Sequence, residues 1–197
     1  FIVQSRKKNT VKSETSATAS KGPRRSGFVA RLPQYWYAVC EAKMLRSKPL
    51  SRMILDIPMV FFRTESGDIG AFLDRCPHRN VPLSDGEVVD DALQCPYHGW
   101  RFNVEGQCIE VPGLYGEPTT RGRAAVRYPV RESDGLIWVY PDTETAPSTE
   151  PFQLPHAQDP KYTTATAVLE VQASLHATLE NILDVPHTAF IHAGLFR

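Results

Sequence analysis

The sequence predicts a mainly β fold, an antiparallel sandwich that gives way near its end to an α+β part. Three observations predict it. From residue 31 to residue 145, short apolar or alternating runs recur between Gly, Asp, Asn and Pro turn signals. The stretch from Pro141 to Pro160 is crowded with Pro, Thr and acids, the composition of a connection. After it, Leu175, Leu179, Ile182 and Leu183 recur at helical spacing. Connections as short as those in the first region suit antiparallel neighbours, because a parallel crossover takes about a dozen residues or more.

Taken in order, structure is expected to begin near Arg31 with the aromatic-rich run Tyr35-Trp36-Tyr37-Ala38-Val39. Met53 to Phe62 is the most apolar stretch. It is interrupted by Asp56 and Pro58 and reads as one strand, paired with Ile69 to Asp74 across a Glu65-Ser66-Gly67-Asp68 turn. Leu93-Gln94 leads into a loop that Trp100 to Val104 leaves, and Glu105-Gly106-Gln107 turns the chain back through Cys108 to Val111. Val126 to Val130 and Gly135 to Tyr140 supply two more strands, about seven in all. Tyr162 to Val171 alternates as a strand would, and Ser174 to Ile191 reads as a helix. The expected division is a disordered or targeting segment (1–30), a β domain (31–145), a linker (146–161) and the truncated start of a second domain (162–197). That last piece is too short to bury a core of its own.

Composition removes several classes of function. Lys and Arg balance Asp and Glu at 22 each, so no overall charge draws the chain to nucleic acid. No apolar run approaches the roughly eighteen residues of a membrane span. Residues 1–27 carry seven Lys and Arg against the single acid Glu14, with many Ser and Thr, a composition shared by disordered tails and organelle transit peptides. A first residue of Phe1 and an end soon after His192 are expected of a partial sequence. Four cysteines with no disulfide-like spacing suit a reducing compartment.

Two of those cysteines stand in the most informative motif. Cys76-Pro77-His78 is followed, after sixteen residues, by Cys95-Pro96-Tyr97-His98-Gly99-Trp100. Two cysteines and two histidines also suit tetrahedral zinc. A zinc finger, however, pairs Cys with Cys and His with His, whereas each loop here offers one of each. Two thiolates on one iron and two imidazoles on the other make the ligand set of a high-potential [2Fe-2S] cluster. The prolines and Gly99 suit tight loops with fixed backbone.

A second constellation follows in the helix: Glu180, Asn181, Asp184, His187 and His192. Two histidines and a carboxylate form a facial triad that leaves positions open for oxygen and substrate. Asp184 and His187 share a helix face, but five residues place His192 about 140° away from His187. The histidines can meet at one ion only if the helix is distorted or ends between them, and Pro186 supplies a cause for irregularity. The alternative is a pair of unrelated histidines on an ordinary helix.

Both constellations together resemble the oxygenase components of Rieske non-haem iron systems, over residues 31 to 197. The loops lack the extra cysteines of Rieske proteins from respiratory complexes and are similar to the oxygenase type, with a lean toward monooxygenases and demethylases. The resemblance implies a Rieske domain followed by the start of a helix-grip catalytic domain. It implies Cys76, His78, Cys95 and His98 as [2Fe-2S] ligands, and His187 and His192 as ligands of a mononuclear Fe(II). Asp184 would bridge the two centres across the interface of a homotrimer. Trp100, next to the second loop, reads equally as a lid that keeps the cluster dry and as plain core packing. Implied partners are a reductase or ferredoxin delivering electrons from NAD(P)H, a small organic substrate and O2, with no nucleic acid. The product would be hydroxylated, demethylated or desaturated. The family's third iron ligand is a downstream Asp or Glu. Asp159, Glu170 and Glu180 all precede the histidines and do not match it, so the fragment alone is not expected to turn over. The expected location is the cytoplasm in a bacterium and a plastid or mitochondrion in a eukaryote. The rival functions are a Rieske ferredoxin, which has no use for a second metal helix, and a colourless zinc-binding module.

Overall fold

The computed structural model describes residues 32–165, 167 and 171–194. The expectation for residues 1–30 lies outside the described residues. The chain divides into a compact unit, Arg31–Thr164, and a second unit that includes the described residues from 165 onward. Each is described by itself.

The first unit is built from ten strands among the described residues, all paired antiparallel. They are β1 Tyr37–Glu41, β2 Leu50–Ile54, β3 Ile57–Arg63, β4 Ile69–Leu73 and β5 Glu87–Val89, then β6 Ala92–Gln94, β7 Arg101–Phe102, β8 Cys108–Glu110, β9 Val130–Ser133 and β10 Leu136–Val139. They form three sheets, ordered β1-β10-β9, β2-β3-β4 and β5-β6-β7-β8. The mainly β expectation holds.

The run Met53 to Phe62 is two strands, not one. Leu55 and Asp56 have φ of 50° and 62°, and β2 pairs with β3 through Ile54 opposite Ile57. Asp90-Asp91 and Asp134-Gly135 make the same two-residue, left-handed connection at the β5–β6 and β9–β10 hairpins. Such turns match the right-handed twist of the strands they join. Leu55 is a poor turn former inside an apolar run, which is why the hairpin is hidden in the sequence. The turn at residues 65–68 is present, closed by Thr64 N–H to the Asp68 carbonyl at 2.9 Å.

β3 is buried on both faces. Val60 and Phe62 enter a core shared with Phe72, Leu83, Leu93, Phe102 and the cysteines Cys76, Cys95 and Cys108. Met59 and Phe61, alternating with them, are buried on the other face. The ligand loops therefore spring from the core that joins the β2–β4 and β5–β8 sheets. Each large side chain in it contributes roughly 1.5–3 kcal/mol of burial.

The Pro-rich segment after β10 is held against this unit. The Trp36 indole N–H donates to the Thr149 carbonyl at 2.6 Å. The Asp134 carboxylate accepts the Leu154 N–H at 2.7 Å and the Gln158 amide at 3.1 Å.

In the second unit, 166 and 168–170 of the expected strand lie outside the described residues, and the described 162–165 form no strand. The expected single helix is two: α1, Leu175–Leu183, and α2, His187–Ile191. Ser174 caps α1, its hydroxyl accepting the Ala177 N–H at 3.2 Å. The break falls at Asp184-Val185-Pro186, just before a proline that begins the next helix without a donor of its own.

Candidate metal centres

The two ligand loops repeat one backbone design. In the first, the Cys76 N–H bonds the Val81 carbonyl at 2.8 Å and the Asn80 N–H returns to the Cys76 carbonyl at 2.9 Å. In the second, the Cys95 N–H bonds the Trp100 carbonyl at 2.8 Å and the Gly99 N–H returns to Cys95 at 3.1 Å. Each loop thus closes five residues after its cysteine and turns through a left-handed residue at the fourth, Asn80 (φ 59°) or Gly99 (φ 70°). Asn tolerates that conformation and Gly is indifferent to it. The Arg75 guanidinium fastens the Asn80 side chain at 2.7 Å. Asp74, just before the first loop, accepts bonds from Ser51 and from the Ser84 N–H and hydroxyl.

This design sorts the four side chains by type. Cys76 and Cys95 are both buried, close enough that the Cys95 thiol acts on Cys76. His78 and His98 are exposed, with ring centroids 4.7 Å apart. Among the described residues no three His, Cys, Asp or Glu side chains converge as a single ion requires. The donors lie in twos, thiol near thiol and imidazole near imidazole, an arrangement compatible with two irons. Burial pushes the Cys76 thiol up to about 11, with the backbone N–H of His78 pulling it down and the Cys95 thiol adding to the rise. Partial desolvation, then the His98 and Arg79 charges, lower the His78 imidazole, which favours the neutral form that binds metal.

The surroundings of the two imidazoles differ. The Trp100 indole lies flat on His78, with centroids 4.6 Å apart and planes 2° from parallel. Tyr97 meets His98 at 4.0 Å and 57°. The sequence places Trp100 near the cluster but does not reveal which histidine it covers. The matched roles of Asn80 and Gly99 were readable, had the two loops been aligned on their cysteines.

In the second unit, the His187 Nδ1–H donates to the Asp184 backbone carbonyl, and the Asp184 carboxylate stands 3.6 Å from the same nitrogen. In such a contact the ring nitrogen acts as the donor, an arrangement that would leave Nε2 to bind a metal. α2 ends at Ile191, and His192 is its C-terminal cap with non-helical φ of −107°. That exit brings the His187 and His192 rings to 5.5 Å, edge to face. Glu180 is turned to His176, at 3.1 Å, and Asp159 caps its own turn at Lys161.

Comparison with known proteins follows the same lines. Residues 35–121 match the Rieske [2Fe-2S] domain. The oxygenase component of dicamba O-demethylase from Stenotrophomonas maltophilia is 37% identical over 161 residues, covering 80% of this chain and 46% of that protein. Protein TIC 55, chloroplastic, of Arabidopsis thaliana is 32% identical, over 80% of this chain and 30% of that one. The crystal structure of dicamba monooxygenase bound to dicamba superposes with a TM-score of 0.75 at 35% identity, covering 83% of this chain and 49% of its own. The chain spans about half the length of the demethylase it matches, or less of other relatives. With its paired imidazole loops and these relatives, the chain carries a Rieske [2Fe-2S] domain and is similar, over about 80% of its length, to the oxygenase component of a Rieske demethylase.

Proposed function

We propose that the chain is the Rieske domain and the first metal-binding helices of a terminal oxygenase component. In this reading Cys76 and Cys95 hold one iron of a [2Fe-2S] cluster, and His78 and His98 hold the other. His187 and His192 are two ligands of a mononuclear iron, completed by a carboxylate from elsewhere in the whole protein. When bound, the cluster supplies one-electron transfer and the mononuclear iron supplies O2 activation.

The residues of this chain do the rest. The buried thiols keep their side of the cluster dry, while His78 and His98 face outward, where an electron partner can reach them. Asp184 sets its backbone carbonyl and its carboxylate against His187, and a second carboxylate oxygen can bond another imidazole, which suits a bridge between metal centres in neighbouring copies of a homotrimer. Electrons would come from NAD(P)H through a reductase or ferredoxin. The substrate would be a small organic molecule that is hydroxylated, demethylated or desaturated, as the demethylase name of one relative supports. A plastid location in a eukaryotic host is supported by the chloroplastic relative, and no helix among the described residues is long and apolar enough to cross a membrane. In this reading the Rieske domain spans 31–145, a linker 146–161 and the start of the catalytic domain 162–197.

The observation that carries the reading is the pairing of like donors at the two loops. The test is iron analysis and low-temperature EPR of the full-length protein. About three irons per chain and a reduced-cluster signal lost in His78→Ala and His98→Ala are expected. Zinc in place of iron, with no visible absorption, would sink it.

A further inference from the structure

Trp100 touches both ligand loops at once. Its backbone carbonyl closes the second loop on the Cys95 N–H at 2.8 Å. Its indole reaches across to the first loop and lies on the His78 ring, 4.6 Å away and 2° from parallel. The indole is itself held, since Trp100 packs against the buried core that contains Cys76, Leu83, Cys95 and Phe102. Contacts through two separate parts of one residue, to ligands on two separate loops, make a brace between them.

Among the described residues His98 has no equivalent. Its aromatic neighbour, Tyr97, comes from its own loop, is tilted, and is 61% exposed. A ring that is mostly in water and tethered beside the histidine it touches cannot fix that histidine relative to the other loop. The two imidazoles are therefore supported unequally, although they stand 4.7 Å apart and their loops share one backbone design.

We infer that Trp100 is a positioning residue that holds the His78 imidazole plane against the second loop, making His78 the oriented histidine of the pair and His98 the freer one. The inference rests on the proposed ligand set. Parallel stacking of indole on imidazole opposes rotation about the last torsion of His78, because turning the ring would break the face-to-face contact. Orientation of an imidazole plane governs its overlap with the metal it binds, and a ligand held in place tunes a site without touching the metal.

The experiment compares the cluster-loaded full chain with Trp100→Leu, Trp100→Met and Trp100→Phe, reading the nitrogen hyperfine couplings of the reduced cluster by pulsed EPR and its midpoint potential. Leu and Met keep apolar bulk without a flat face, and Phe keeps the face. The parent should show two imidazole nitrogens. In Leu and Met one of the two couplings should shift or broaden and the potential should move, while Phe stays close to the parent. Tyr97→Leu, at an exposed position, should change less than either. Should the Leu variant lose the cluster, the Met variant is read in the same way, and Phe must still retain the parent spectrum. Loaded Leu or Met protein with both couplings and the potential unchanged overturns the inference and leaves Trp100 as packing. A parent without two imidazole nitrogens overturns the ligand assignment instead.

Discussion

Gly99 has the left-handed φ of 70°, and a Cβ built on it would lie 3.1 Å from Cγ of Pro112. Gly99→Ala therefore combines backbone strain with a tight contact and should cost about 1–2 kcal/mol or somewhat more. Urea denaturation would show it. At Asn80, which has the same backbone role, Gly should be tolerated better than Ala, since only Ala adds a Cβ penalty to the lost bond with Arg75. Asp184 offers a different test. Asp184→Asn leaves the backbone carbonyl that orients His187 and removes the carboxylate charge. Both centres should still load in the full-length protein, with electron transfer between them slowed about 10–100-fold in single-turnover stopped flow. Unchanged transfer would remove Asp184 as the bridge. At this scale the cysteines and histidines were legible because their chemistry is rare and their spacing compact. The His78–Trp100 stack was not, because it joins two loops whose approach is set by strand pairing.

The end of α2 at Ile191, between the two histidines, decides whether His187 and His192 can share an ion. Five residues on an unbroken helix leave them about 140° apart, whereas here α2 stops at Ile191 and the rings stand 5.5 Å apart. Pro186→Ala restores a backbone donor and favours continuing α1 through the break. It should raise the helical signal in far-UV circular dichroism and, by drawing the Asp184 carbonyl into the helix and away from the His187 ring, lower iron occupancy at this site, while the cluster absorption stays intact. An unaltered helical signal would show that the break is held by something other than the proline, and unaltered iron content that the site does not depend on it. Among strands, Cys40 of β1 gives a pH test. Burial pushes its thiol up to about 11 from an ordinary 9.0. The unfolded chain loses this proton first as pH rises, so the contribution is whole below pH 9 and lost from about 9 to 11. In Cys40→Ala the decline in stability over that window should be shallower than in the parent, as read by denaturation midpoints. The β2–β3 hairpin marks the limit of pattern reading at this scale: Leu55-Asp56 has the geometry of a turn without its usual residues.

Taken whole, the described residues place nearly all of the buried apolar side chains in Arg31–Thr164. In the second unit Thr178 is buried, while Leu183, Val185, Phe190 and Ile191 are exposed. The Pro-rich segment belongs with the first unit through Asp134, which bonds both Leu154 and Gln158, and through Trp36. Asp134→Ala should free that segment. Limited proteolysis should then cut between residues 146 and 161 at least several times faster, with the cluster spectrum unchanged, because opening of a surface segment tracks the bonds that close it. Equal cleavage rates would mean that Trp36 and the buried Pro151 hold the segment without Asp134.

The sequence by itself determined the mainly β class, the four candidate cluster ligands, the histidine pair and the reason a regular helix would keep that pair apart. These depend on residue chemistry and local period, which are written along the chain. Tertiary structure alone decided that thiol meets thiol and imidazole meets imidazole, that Trp100 lies on His78, and that α2 ends where His192 begins. Each of these joins residues through strand register or through a change of backbone direction, and neither is carried by the identity of the residues that it brings together.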